Sequence, residues 1–98
     1  MTIEKNQVEE KLTMKVIGRL DSTTAPELEE AVKESIEGVK DFCFDLSELE
    51  YISSAGLRVL LLSQKIMSKQ GDLKVTNVKD EVMEIFEVTG FSEILTIE

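Results

Sequence analysis

The sequence predicts an α/β domain built on a mixed β-sheet, with elements in the order β-β-α-β-α-β-α-β, and three observations carry that expectation. Leu12, Met14, Val16 and Leu20 are interleaved with Thr13, Lys15 and Arg19, the period of a strand with one face covered. Leu28, Ala31, Val32 and Ile36 fall on one helical face between Pro26 and Gly38, a proline suited to a first turn and a glycine suited to a stop. Beyond them, short apolar runs alternate with helical stripes. That alternation makes the later strands parallel, joined by right-handed crossovers, with helices packed on the sheet.

Residues 2–8 are more polar and are expected as an edge strand, paired with residues 12–20 through a turn at Glu9-Glu10-Lys11. The first helix opens at Thr24-Ala25-Pro26-Glu27, with the Thr24 hydroxyl as a cap and an acid near the positive end of the dipole. Phe42-Cys43-Phe44-Asp45-Leu46 reads as a short strand covered on both faces, with Cys43 a buried thiol, ending in a polar turn at Ser47-Glu48. A second helix is expected from near Ser54 to about Lys69, stopped by Gly71, with Leu57, Leu60, Leu61, Ile66 and Met67 as its buried stripe. Leu73 to Thr76 is a strand; Val82, Ile85 and Phe86 mark a third helix stopped by Gly90; a last extended piece covers Ile94 to Ile97.

The 98 residues, 42% of them hydrophobic, are read as one domain, 1–98, able to form a core without disulfide or metal. A net charge of −9 argues against nucleic acid and anionic membranes and favours a basic partner, although such a charge also serves plain solubility. The single Cys43 excludes an internal disulfide. The longest uninterrupted apolar stretch, Val59 to Leu62, is far too short to span a bilayer, and Thr2-Ile3-Glu4-Lys5 starts no signal-peptide core, so the cytoplasm is the expected location. Histidine is absent. That removes Ser-His-Asp and Cys-His nucleophiles, histidine phosphotransfer and the commonest zinc ligand.

In open α/β sheets, sites gather where strands deliver loops into helices. Two loops qualify: Asp21 to Thr24, and Leu46 to Ser54. In the second, Ser53 and Ser54 stand at a helix N-terminus, where serine commonly caps free N–H groups. Gly56 follows inside the first turn, where glycine costs about 1 kcal/mol against alanine. Its missing side chain either admits another backbone or phosphate donor beside the hydroxyl, or permits tight packing of helix on strand. Asp21 is either a turn-forming or capping carboxylate or a direct member of the site. Asp45 is read as organising its own turn, and Arg58 as a partner contact or a solvated cation.

Ile52-Ser53-Ser54-Ala55-Gly56-Leu57 resembles the Asp-Ser-(Ser/Thr/Ala)-Gly-Leu signature of STAS domains in anti-sigma factor antagonists. The similarity spans essentially the whole chain, including Gly18-Arg19-Leu20-Asp21, Asp45-Leu46-Ser47 and Val88-Thr89-Gly90-Phe91. The resemblance implies the STAS fold, phosphorylation at Ser54, and a partner surface of Asp21, Ser22, Thr23, Ser53, Ser54, Ala55, Gly56, Leu57 and Arg58. It implies an anti-sigma factor that is also a serine kinase, and a PP2C-type, metal-dependent phosphatase. It implies no cofactor of the domain's own, Mg-ATP being carried by the kinase. One position departs: Ser53 stands where the antagonists commonly have Asp, which makes Ser53 a rival acceptor. It also leaves open a STAS scaffold or sensor without a phosphorylation cycle. Catalysis is not expected. The chain lacks a Gly-x-Ser-x-Gly elbow and a P-loop, and Lys65 lies roughly 16 Å along the helix from Ser54.

Overall fold

A computed structural model describes residues 1–98. Strands β1 (Thr2–Val8) and β2 (Lys11–Leu20) form an antiparallel hairpin with Val8 opposite Lys11. Helix α1 (Ala25–Ser35), strand β3 (Asp41–Asp45), strand β4 (Leu49–Ile52), helix α2 (Ser54–Met67), strand β5 (Asp72–Thr76), helix α3 (Asp80–Thr89) and the short helix α4 (Phe91–Ile94) follow. β3 runs parallel to β2 and β5 parallel to β3, giving the order β1-β2-β3-β5, with β4 parallel to the end of β2. The mixed sheet and the α/β class are those the sequence predicts.

Alternate strand residues share one face, and here one face carries the core. Leu12, Met14 and Val16 of β2, Phe42 and Phe44 of β3, and Leu73 and Val75 of β5 are buried. They join Leu28 and Val32 of α1, Leu57 and Leu60 of α2, and Val82 and Phe86 of α3 in a single apolar cluster. The other face of the sheet is polar and half-exposed. Cys43 lies on it, its Sγ 3.4 Å from the Thr76 hydroxyl. β3 is therefore covered on one side only, and Cys43 is half-buried rather than buried. The apolar run misleads because Phe42, Phe44 and Leu46 alone face the core, while Asp45 points the other way to accept from the Ser47 N–H (2.9 Å) and the Asn77 amide (3.3 Å).

Three local features differ from expectation. The segment 49–52, expected within a loop, is strand β4: only four residues long, it buries Leu49 and Ile52 and exposes Glu50 and Tyr51. The expected terminal strand reduces to a bridge between Ile97 and Val75, because Phe91–Ile94 closes into a helical turn after Gly90. Thr24 does not cap α1 with its side chain. Its hydroxyl accepts from the Asp21 N–H (2.9 Å) and donates to the Arg19 carbonyl (3.0 Å), facing back into the preceding turn.

Gly18 explains how β2 serves two partners. Its φ of +98° suits glycine, and the β2–β4 register shifts between Gly18 and Arg19. Before this bulge β2 pairs with β3; after it, with β4.

Candidate functional site

The bulge brings two strand ends together. Leu20 of β2 pairs with Ile52 of β4, and the Ser53 N–H donates to the Leu20 carbonyl at 2.9 Å. Because the strands are parallel, the loop beginning at Asp21 and the Ser53-Ser54 step emerge side by side at their carboxyl ends. Both loops singled out in the sequence thus meet at one place.

The Asp21 carboxylate builds its own loop. It accepts from the Thr23 hydroxyl (2.7 Å), the Thr23 N–H (3.0 Å) and the Thr24 N–H (3.2 Å), an Asx-type turn. The Thr23 hydroxyl first, and then the Thr23 amide, hold this carboxyl below its ordinary value. The group stays ionised at neutral pH and presents Ser22 and Thr23 outward, both exposed.

The two serines part company. Ser53 is the N-cap of α2 in extended backbone (φ −99°, ψ 177°), yet its side chain caps nothing, and its Oγ is buried without a hydrogen-bond partner. Ser54 is exposed. The Leu57 N–H reaches the Ser53 carbonyl at 2.9 Å, whereas the N–H groups of Ser54, Ala55 and Gly56 have no backbone acceptor. Such a helix start, with donors free and the positive end of the dipole beside them, tolerates an anion on its first residue. A buried hydroxyl without a partner costs stability, so Ser53→Ala should leave the unfolding free energy unchanged or raise it by up to about 1 kcal/mol, measured by urea titration.

Gly56 and Leu57 require a correction. Both are buried, and a Cβ on Gly56 would lie 2.6 Å from Leu20 Cγ and 2.8 Å from Ile52 Cγ1. The glycine lets α2 seat on the ends of β2 and β4 and opens no approach from outside. The outer surface at this end is supplied by Ser22, Thr23, Ser54 and Arg58, with Ala55 half-buried.

Sequence reasoning missed Arg19 and Tyr51. They are register partners on β2 and β4, both exposed, with the Arg19 guanidinium carbon 4.3 Å from the Tyr51 ring centroid, a cation–π contact. Each stands two residues before a site residue, Asp21 and Ser53. Recognising 49–52 as a strand beside the end of β2 was the missing signal, because the pairing of Arg19 with Tyr51 follows from the shifted register. A cavity of about 340 Å³ lies at the opposite end of the sheet, among Lys11, Asp41, Cys43, Asp72 and Lys74, away from this constellation. No group of three or more His, Cys, Asp or Glu side chains is placed to hold a metal ion. What the site offers chemically is an exposed hydroxyl on a helix N-terminus, at the strand ends that also carry the ordered Asp21 loop, with Arg58 four residues on along the same helix.

A family model described as STAS domain matches residues 2–98. The anti-sigma-B factor antagonist of Listeria monocytogenes is 34% identical over 85% of this chain and 75% of its own. That of Bacillus subtilis is 29% identical over 99% of this chain and 90% of its own. Among solved structures, the anti-sigma factor antagonist SpoIIAA in its unphosphorylated form superposes with a TM-score of 0.78 at 15% identity, over 99% of this chain and 87% of that one. Its phosphorylated form, described as a Bacillus cell fate determinant, gives 0.77 at 14%, over 99% and 91%. At these identities the two superpositions speak for the fold.

Proposed function

The chain belongs to the STAS domain family of anti-sigma factor antagonists, and from that premise we propose a protein switch that docks on an anti-sigma factor while Ser54 is unmodified. Docking frees a sigma factor. The anti-sigma factor, acting as a serine kinase with its own Mg-ATP, then phosphorylates Ser54 and affinity falls; a PP2C-type phosphatase resets the domain. The domain itself performs no catalytic step in this circuit. No helix is long and apolar enough to cross a membrane, and the cytoplasm is the proposed location.

One observation carries this reading: of the two serines, the one exposed on the first turn of α2 is Ser54, beside the Asp21 loop. An acceptor hydroxyl must enter a visiting active site, and the buried Ser53 oxygen is poorly placed to do so. A phosphate adds about −1.5 to −2 charges at neutral pH. The free N–H groups of α2 accommodate that charge, but a partner surface fitted to a neutral hydroxyl does not.

The test is to incubate the chain with a cognate anti-sigma factor kinase and Mg-ATP and to map the product by mass spectrometry. One phosphate on Ser54, none on Ser54→Ala, is the expected outcome; modification at Ser53 instead would refute the assignment. Ser53 in the position where antagonists commonly carry Asp favours a second reading, a STAS scaffold without a phosphoryl cycle. Equal binding of one partner by Ser54→Ala and Ser54→Asp would support that alternative.

A further inference from the structure

We propose that Arg58 is an internal latch for phosphorylated Ser54, closing over the phosphate within the first turns of α2; the inference rests on Ser54 being the modified residue. Arg58 stands four residues after Ser54 on the same helix, and both are exposed. Residues at this spacing lie one above the other on a helix surface, with Cβ atoms about 5–6 Å apart. Helical side chains lean toward the N-terminus, so Arg58 covers the turn that Ser54 opens.

The charges around Arg58 make the pairing selective. α2 contains no Asp or Glu, so no carboxylate on its own helix competes for the guanidinium. The three ion pairs of the chain use Lys15, Lys33 and Lys74 and leave Arg58 out. In a protein of net charge −9, an arginine without an ion pair one turn from an exposed hydroxyl is poised for an anion formed on that hydroxyl. At the neighbouring strand ends, Arg19 lies over Tyr51, and the Asp21 carboxylate is held by Thr23 and Thr24. A guanidinium binds phosphate with two parallel N–H donors, and the free N–H groups at the start of α2 serve the remaining oxygens.

The latch gives phosphorylation two effects on the same surface. It adds a dianion, and it withdraws the cation that an incoming acidic side chain would otherwise meet. It also pins the phosphate on the helix, so the modified form stays folded around α2.

The experiment uses the full chain with phosphoserine installed at position 54 during synthesis, so that no kinase is needed. The second ionisation of the phosphate is followed by phosphorus NMR across pH 4–8 in the parent, Arg58→Gln and Arg58→Lys. The latch predicts a lower phosphate pKa in the parent than in Arg58→Gln by about half a unit, with Arg58→Lys between them. It also predicts that roughly 1 M salt narrows the difference. Identical titrations in the parent and Arg58→Gln, with both folded by circular dichroism, overturn the latch whatever a kinase does. Failure of a kinase to modify Ser54 would instead strike the functional reading while leaving this titration interpretable.

Discussion

Gly56→Val should cost the domain about 3 kcal/mol or more and lower its melting temperature by roughly 12–24 °C. The new Cβ would sit 2.6 Å from Leu20 Cγ, 2.8 Å from Ile52 Cγ1 and 3.0 Å from Leu20 Cδ2. Neither neighbour can yield cheaply, since Leu20 is wholly buried and Ile52 is 2% exposed. Overpacking of a well-filled core costs about 1–3 kcal/mol, and the branched valine adds two further carbons in the same direction. Gly56→Ala should cost less, because alanine regains about 1 kcal/mol of helix propensity. The folded fraction of Gly56→Ala should still dock, because the glycine acts beneath the surface. Calorimetric melts of both variants within a degree or two of the parent would contradict the packing account.

Phosphorylation of Ser54 should weaken docking on the anti-sigma factor by at least about 100-fold, or some 2.7 kcal/mol, measured by titration calorimetry. Desolvating a dianion against a surface fitted to a hydroxyl costs several kcal/mol unless that surface supplies compensating donors. In the proposed latch the helix start and Arg58 would satisfy the phosphate within the domain, and so give the partner nothing in return. Ser54→Asp should reproduce only part of this loss, because a carboxylate carries one charge on a shorter reach. Affinity unchanged by phosphorylation would leave Ser54 without a switching role.

Much of the fold was legible because burial on one face imposes a strict period. Leu12, Met14 and Val16 announced β2, and Leu28 and Val32 announced α1. β4 was hidden for a physical reason. Four residues, two of them outward-facing, carry too little alternation to stand out from a loop, and their strand character comes from pairing with Gly18–Leu20 across the bulge. Losing β4 also hid the Arg19–Tyr51 pair. Ser53 and Ser54 were both candidates in the sequence, since side-chain direction at a helix start depends on backbone geometry that neighbouring residues set. Gly56 likewise stood between two readings until Leu20 and Ile52 were seen beneath it.

The proposed switch is a surface gate, in which charge at Ser54 would block docking while the fold beneath stays as it is. Backbone amide NMR spectra of the unmodified and Ser54-phosphorylated chains test this most directly. Changes confined to residues 53–58 and the neighbouring 21–24 loop are the predicted result. Large shifts spreading through β3, β5 and α3 would instead reveal a rearranged core, and with it a conformational switch that this structure does not contain.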